Sequence, residues 1–209
     1  MIQILEFDKD TSIGYVESLL PKYKYKLFTK EHIQDIDFHQ PLILLGSLHS
    51  VTENTPWVKE ALELTQKALE NNTPILGICF GSQLVAKCLG QEIYKIPTPE
   101  YGWFEVSKNL HVFHWHNEGY KLPKGASALF DDDTSLHCNA YTYKNVIAVQ
   151  FHFEVTSPQI NCWIDESQDL DIDKDKILSD TDKYLARQEI LAQNIVKSWL
   201  EMAAVTAEI

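Results

Sequence analysis

The sequence predicts an α/β fold: an open, mostly parallel sheet with helices on both faces and a single cysteine raised at a strand-to-helix elbow. Three observations carry this. Short continuous apolar runs at residues 2–7, 41–45 (PLILL) and 73–78 (TPILGI) read as strands buried on both faces. Between the last two, Thr55-Pro56 opens a helix whose apolar face is Trp57, Val58, Ala61, Leu62, Ala68 and Leu69, and Asn71-Asn72 ends it. That is a βαβ unit, which makes its strands parallel and its crossover right-handed. The third observation is the stretch ILGICFGSQLVAKCLG at residues 75–90, where Gly77 and Gly81 flank Cys79.

The remaining elements follow in order. A short helix is expected from Ser82 to about Leu89, and then a strand-like, aromatic-rich region over residues 91–116. Residues 141–143 and 146–151 read as two further strands joined by the turn Lys144-Asn145. The acidic segment 165–182 shows no apolar face and reads as a solvated loop or lid. Leu191, Ile195, Trp199 and Met202, at three- and four-residue steps, predict a closing helix.

With 209 residues and 44% apolar content, one domain over residues 1–209 is the expectation. A formal charge of -12 with no clustered Lys/Arg disfavours nucleic acid and anionic membrane surfaces as partners. The first residues, MIQILE, have no basic start, and no run approaches the roughly 20 apolar residues of a membrane span, so a cytoplasmic protein is expected. The four cysteines, at 79, 88, 138 and 162, form no CxxC pair, which argues against a disulfide scaffold and a zinc ribbon.

Cys79 carries the chemistry. A strand, one cysteine and a helix in immediate succession describe a nucleophile elbow, a turn so crowded that Gly77 and Gly81 are needed where a Cβ would clash. The elbow sets Cys79 at the positive end of the following helix, which favours thiolate, and points the Phe80 backbone N–H toward an oxyanion forming on an attacked carbonyl. Cys88 reads as a core residue, and Cys138 and Cys162 receive no role.

A thiolate attacking an amide needs a proton shuttle held by a third group. Of eight histidines, only His152, in VIAVQFHFEVT, ends a strongly apolar strand with a carboxylate, Glu154, two residues on. In extended chain Gln150, His152 and Glu154 share one face, with Phe151 and Phe153 on the other. In HVFHWH, His114 and His116 alternate beside Glu118 in a pattern compatible with a metal, but the preferred reading is a pocket wall. No metal and no cofactor are expected.

These residues resemble the class I glutamine amidotransferases. The match is G-x-C-x-G-x-Q (Gly77, Cys79, Gly81, Gln83) with Q-F-H-x-E (Gln150, Phe151, His152, Glu154) downstream. LLGSLHSVTENTPW resembles the family's oxyanion loop, and HWHNEGYKLPKGA a segment of its stand-alone, GMP-synthase-like members. The resemblance implies a flavodoxin-like fold and a Cys79, His152, Glu154 triad that hydrolyses the side-chain amide of glutamine, or a related γ-glutamyl substrate, through a γ-glutamyl thioester. It further implies that Gly46 and Ser47 complete the oxyanion hole with Phe80, and that Gln83, Gly81 and His116 line the substrate pocket. Ser47 stands where many relatives have glycine, Phe153 where they have proline and Glu118 where they have aspartate; Phe153 would make a pocket wall bulkier.

With no G-x-x-x-x-G-K-[ST] loop, an ammonia-accepting synthetase would be a separate subunit. The alternatives are a stand-alone γ-glutamyl peptide or amide hydrolase, and a non-catalytic regulatory or interaction module on the same fold.

Overall fold

The computed structural model describes residues 1–20, 22–130, 137–167 and 170–207. Its main sheet has seven strands in the order β2-β1-β3-β4-β9-β8-β7. These are β1 (Ile2–Glu6), β2 (Tyr25–Thr29), β3 (Leu42–Leu44), β4 (Ile75–Ile78), β7 (Ser127–Ala128), β8 (Ala140–Tyr143) and β9 (Val146–Val149). The strands from β2 across to β9 pair in parallel, whereas β8 and β7 add antiparallel.

Alternation along the strands divides the core between two faces. Leu42, Leu44 and Ile75 point to one side, where they meet α2 (Pro56–Glu70) and α3 (Phe80–Cys88) through Val58, Ala61, Leu84 and Val85. Ile43, Leu76 and Ile78 point to the other, where α1 (Tyr15–Leu19) and α5 (Lys174–Ala207) supply Val16, Ala192, Ile195 and Trp199. The doubly covered parallel sheet is therefore observed, and α2 connects β3 to β4 as the βαβ pattern requires.

Several boundaries differ from the sequence reading. The region 91–116 is an antiparallel hairpin, β5 (Tyr94–Ser107) with β6 (Leu110–Gly119), forming a sheet of its own; Asn109, at φ 60°, makes its turn. The closing helix starts at Lys174, so 174–182 is helix, not solvated loop. Ile177, Asp180 and Thr181 are buried there because Ile177 packs against the hairpin and Thr181 accepts a hydrogen bond from Trp103 Nε1 at 2.9 Å. Asp165 and Glu166 end a helix the sequence reading missed, α4 (Ser157–Glu166), and residues 168–169 of the acidic segment lie outside the described residues. Among the described residues, no helix is long and apolar enough to cross a membrane.

Candidate active site

β4 ends at Ile78, and Cys79 follows at φ 48°, ψ -105° before α3 begins at once with Phe80. A non-glycine residue in that region is strained and persists only where its surroundings fix it. They do so here: Cys79 N donates to Val149 O on β9 (2.8 Å), Gly81 N to Leu45 O (3.1 Å), and Ser82 Oγ and Gln83 N to Cys79 O (2.7 and 3.0 Å). The flanking glycines are steric necessities. A Cβ on Gly77 would lie 2.9 Å from the Gly81 carbonyl, and one on Gly81 only 2.1 Å from Leu44 O.

β9 stops at Val149, two residues short of the expected end, so residues 150–154 leave the sheet edge as irregular chain held by its neighbours. Gln150 N donates to Asn139 O and His152 N to Phe113 O on β6 (2.8 and 2.7 Å). From α5 the buried Gln188 donates to His152 O (3.2 Å) and accepts from Phe113 N (2.7 Å). The pairing read from the sequence is present without the strand: His152 Nδ1 and Glu154 Oε1 are 2.6 Å apart, both residues buried. Cys79 lies within hydrogen-bond reach of the same ring, and Gln150 Nε2 approaches its Sγ at 3.6 Å. Burial disfavours the imidazolium, but the charges of Glu154 and Cys79 outweigh it and raise His152 to about 10. Cys88, by contrast, is a desolvated thiol pushed up to about 12.

The loop after β3 closes over this group. A Cβ on Gly46 would sit 2.9 Å from His152 Cε1, so the loop touches the histidine only because that residue is glycine. Asp8, just past β1, pins the loop by accepting from Ser47 Oγ (2.5 Å) and Leu48 N (2.9 Å), while Lys30 holds the carboxylate from behind at 3.1 Å. Ser47 thus has a fixed place despite its Cβ.

Cys79 opens onto a cavity of ≈ 390 Å³. Gln83 and His116 line it as well, but His116 turns its ring nitrogens elsewhere, Nδ1 to Glu118 O at 2.9 Å and Nε2 to His114 at 2.9 Å. Asp10, Glu118 and Glu166 put carboxylates on the wall, Tyr101, Trp115 and Trp163 put rings on it, and no lysine or arginine contributes among the described residues. Phe153 is not part of the wall; it is fully buried beside Phe151 in the core.

Two positions that shape the site escaped the sequence reading. Asp8 stands just beyond the carboxyl end of a parallel strand, where such sheets carry their sites, and that location was the available signal. Trp163 packs edge-on against His152 (4.9 Å between centroids) and donates to Asp10 O at 2.7 Å. It is set by α4, whose start was marked by Thr156-Ser157-Pro158-Gln159: Gln159 Oε1 accepts from Thr156 N at 2.9 Å.

The arrangement is thus a cysteine at a strained elbow, a histidine paired to a carboxylate beside it, and a glycine loop over both, on an open parallel sheet. The family model for glutamine amidotransferase class-I matches residues 22–162, and the chain belongs to that family. It is similar to a GMP synthase [glutamine-hydrolyzing] of Thermosipho africanus, with 32% identity over 156 residues, 68% of this chain and 28% of the relative. It is also similar to gamma-glutamyl peptidase 4 of Arabidopsis thaliana, with 25% identity over 141 residues, 58% of this chain and 56% of the relative. The chain thus spans about a quarter of the length of the GMP synthases it matches. In fold it is similar to the crystal structure of a glutamine amido transferase from Methylobacillus flagellatus, with TM-score 0.82, 21% identity, and coverage of 96% and 94% of the two chains.

Proposed function

We propose that the chain hydrolyses the γ-amide of glutamine or a related γ-glutamyl substrate, with Cys79 as nucleophile, His152 as proton shuttle and Glu154 as its orienting partner. The observation that carries this is the strained Cys79 facing the cavity, with the His152–Glu154 pair against it. The Cys79 thiolate adds to the γ-carbonyl carbon, and the backbone N–H groups of Phe80 and of Gly46/Ser47 hold the resulting oxyanion. The C–N bond breaks as the His152 imidazolium gives its proton to the departing amine, leaving a γ-glutamyl thioester. Neutral His152 then takes a proton from water, whose oxygen displaces the thiolate and frees glutamate. Gln83 and His116 belong to the pocket side of this site, whereas Gly81 packs against Leu44 beneath the elbow and does not line the cavity; the wall carboxylates suit the substrate's α-ammonium. The released ammonia goes to a separate synthetase subunit or to none.

A second reading, a self-sufficient γ-glutamyl hydrolase, is favoured by the aromatic wall of Tyr101, Trp115 and Trp163, which offers apolar surface to a group attached at the γ-position. A non-catalytic module has no such support, since the strained elbow would then hold a nucleophile for no purpose.

The test is glutamate release from glutamine and a panel of γ-glutamyl peptides by the chain and its Cys79→Ala variant. Release that disappears in a folded Cys79→Ala protein is expected; undiminished release from that variant would overturn the assignment. A large preference for peptides selects the second reading, and stable association with a synthetase the first.

A further inference from the structure

A second cluster of reactive side chains lies in the hairpin, behind the cavity wall. Glu100 is directly opposite His116 in the β5–β6 register, and Gly102 opposite His114, so Glu100, His114 and His116 share one face of the hairpin. His137, from the chain leading into β8, meets them there. That segment comes close because residue 119 is glycine, where a Cβ would lie 2.7 Å from the Cβ of His137, and because Cys138 N donates to Tyr120 O at 2.8 Å.

Three imidazole nitrogens converge on one carboxylate oxygen. Glu100 Oε2 is 2.9 Å from His114 Nδ1 and 3.3 Å from both His116 Nε2 and His137 Nε2. The histidines are buried, and one donor atom from each of the four residues falls within 4.8 Å of all the others. Hydrogen bonding accounts poorly for this. Oε2 is buried, and no hydrogen bond of good geometry reaches it. His116 Nδ1 faces the Glu118 carbonyl, which only accepts, so Nδ1 carries the hydrogen and Nε2 presents its lone pair toward Oε2 and His114 Nδ1. The His116 Nε2 lone pair and the carboxylate oxygen repel one another unless a proton or a metal cation lies between them. A ring that gives its other N–H to a backbone carbonyl is also the usual second support of a metal-bound histidine.

We propose that Glu100, His114, His116 and His137 bind a zinc-class divalent cation that locks the β5–β6 hairpin to the chain entering β8. Zinc–nitrogen bonds of about 2.0–2.1 Å place tetrahedral ligand atoms about 3.3–3.4 Å apart; the contacts to Oε2 are 2.9–3.3 Å and every pair of donor atoms lies within 4.8 Å. Four protein donors fill a tetrahedral shell, and a closed shell is structural: it leaves no position for a water nucleophile. Glu118, the carboxylate the sequence pairs with these histidines, is not a ligand; it accepts from Ser50 Oγ at 2.8 Å instead. His116 also borders the Cys79 cavity, so the two sites adjoin, but none of Cys79, His152 and Glu154 is a ligand.

The full-length chain, stripped with chelator and dialysed against Zn²⁺ and then metal-free buffer, is assayed for bound metal by mass spectrometry and for Tm with and without Zn²⁺. About one equivalent per chain is expected, with a Tm rise of roughly 5–10 °C at saturating metal and, for Co²⁺, the visible absorption of a tetrahedral ion. Cys79→Ala must retain the metal, whereas His137→Ala and Glu100→Gln must lose both the metal and the Tm response. Folded wild-type chain that holds no stoichiometric metal and melts identically with and without Zn²⁺ would overturn the proposal and leave a proton-filled His/Glu network. Loss of the metal in Cys79→Ala would overturn it equally, by assigning the ion to the nucleophile.

Discussion

His152 is buried yet raised to about 10, so Glu154 and Cys79 must stabilise its charged form more than desolvation penalises it. The consequence for stability has a definite sign. A group whose folded value exceeds its unfolded one of about 6.5 contributes fully below that pH, and the contribution declines above it and is gone once the pH passes about 10. The stability gap between wild type and Glu154→Gln, measured by urea unfolding across pH 6–10.5, is therefore expected to shrink as the pH rises; a constant gap would mean that Glu154 does not hold a charged His152. The same variant is expected to lose roughly 10²–10⁴-fold in kcat for glutamate release, because the ring loses its orienting acceptor. Gly46 acts by its lack of a side chain: Gly46→Ala puts a methyl 2.9 Å from His152 Cε1. It is expected to cut kcat/KM by roughly 10²-fold with a Tm close to that of wild type, since a displacement well under 1 Å at the shuttle costs more in rate than in packing.

At the level of elements, His152 is positioned by neighbours remote in sequence. Its carbonyl is held by Gln188 of α5, its amide by Phe113 of β6 and its ring face by Trp163 of α4. Gln188→Leu removes two buried hydrogen bonds and orphans both Phe113 N and His152 O, so a loss of about 2–4 kcal/mol is expected, read as a lower urea midpoint at unchanged slope. A midpoint equal to wild type would show that the α5 tether carries no stability. The early boundary of α5 has the same origin. The segment 174–182 is polar in sequence, and its few apolar contacts, Ile177 against Trp103 and Tyr184, become visible only when the hairpin folds over it.

Across the whole molecule, the legible parts were those in which local pattern and tertiary role agree. β1, β3, β4 and β9 are fully covered, so their apolar runs announce them. Cys79 was readable because the elbow needs small residues on both sides, and His152 with Glu154 because two positions separate them. β2 was not, being an edge strand whose residues are mostly exposed; of the Glu100, His114, His116, His137 group only the alternating His114 and His116 were, because Glu100 and His137 come from two other segments. The charge balance was plain from the start and reaches into the site. The chain carries a formal charge of -12, and the cavity has the carboxylates of Asp10, Glu118 and Glu166 on its wall with no lysine or arginine among its described residues. Such a field attracts an α-ammonium and repels a substrate whose amine has been capped and whose net charge is negative. Under the proposed function, N-acetylglutamine should therefore be hydrolysed with a kcat/KM at least roughly tenfold below that of glutamine at about 10 mM salt. The gap should narrow toward 0.5 M, where the Debye length falls to a few ångströms and the long-range part of the repulsion is screened. Equal rates at low salt would mean that the wall carboxylates do not read the α-amine; a gap unaffected by salt would assign the discrimination to direct contact in the cavity instead of the field around it.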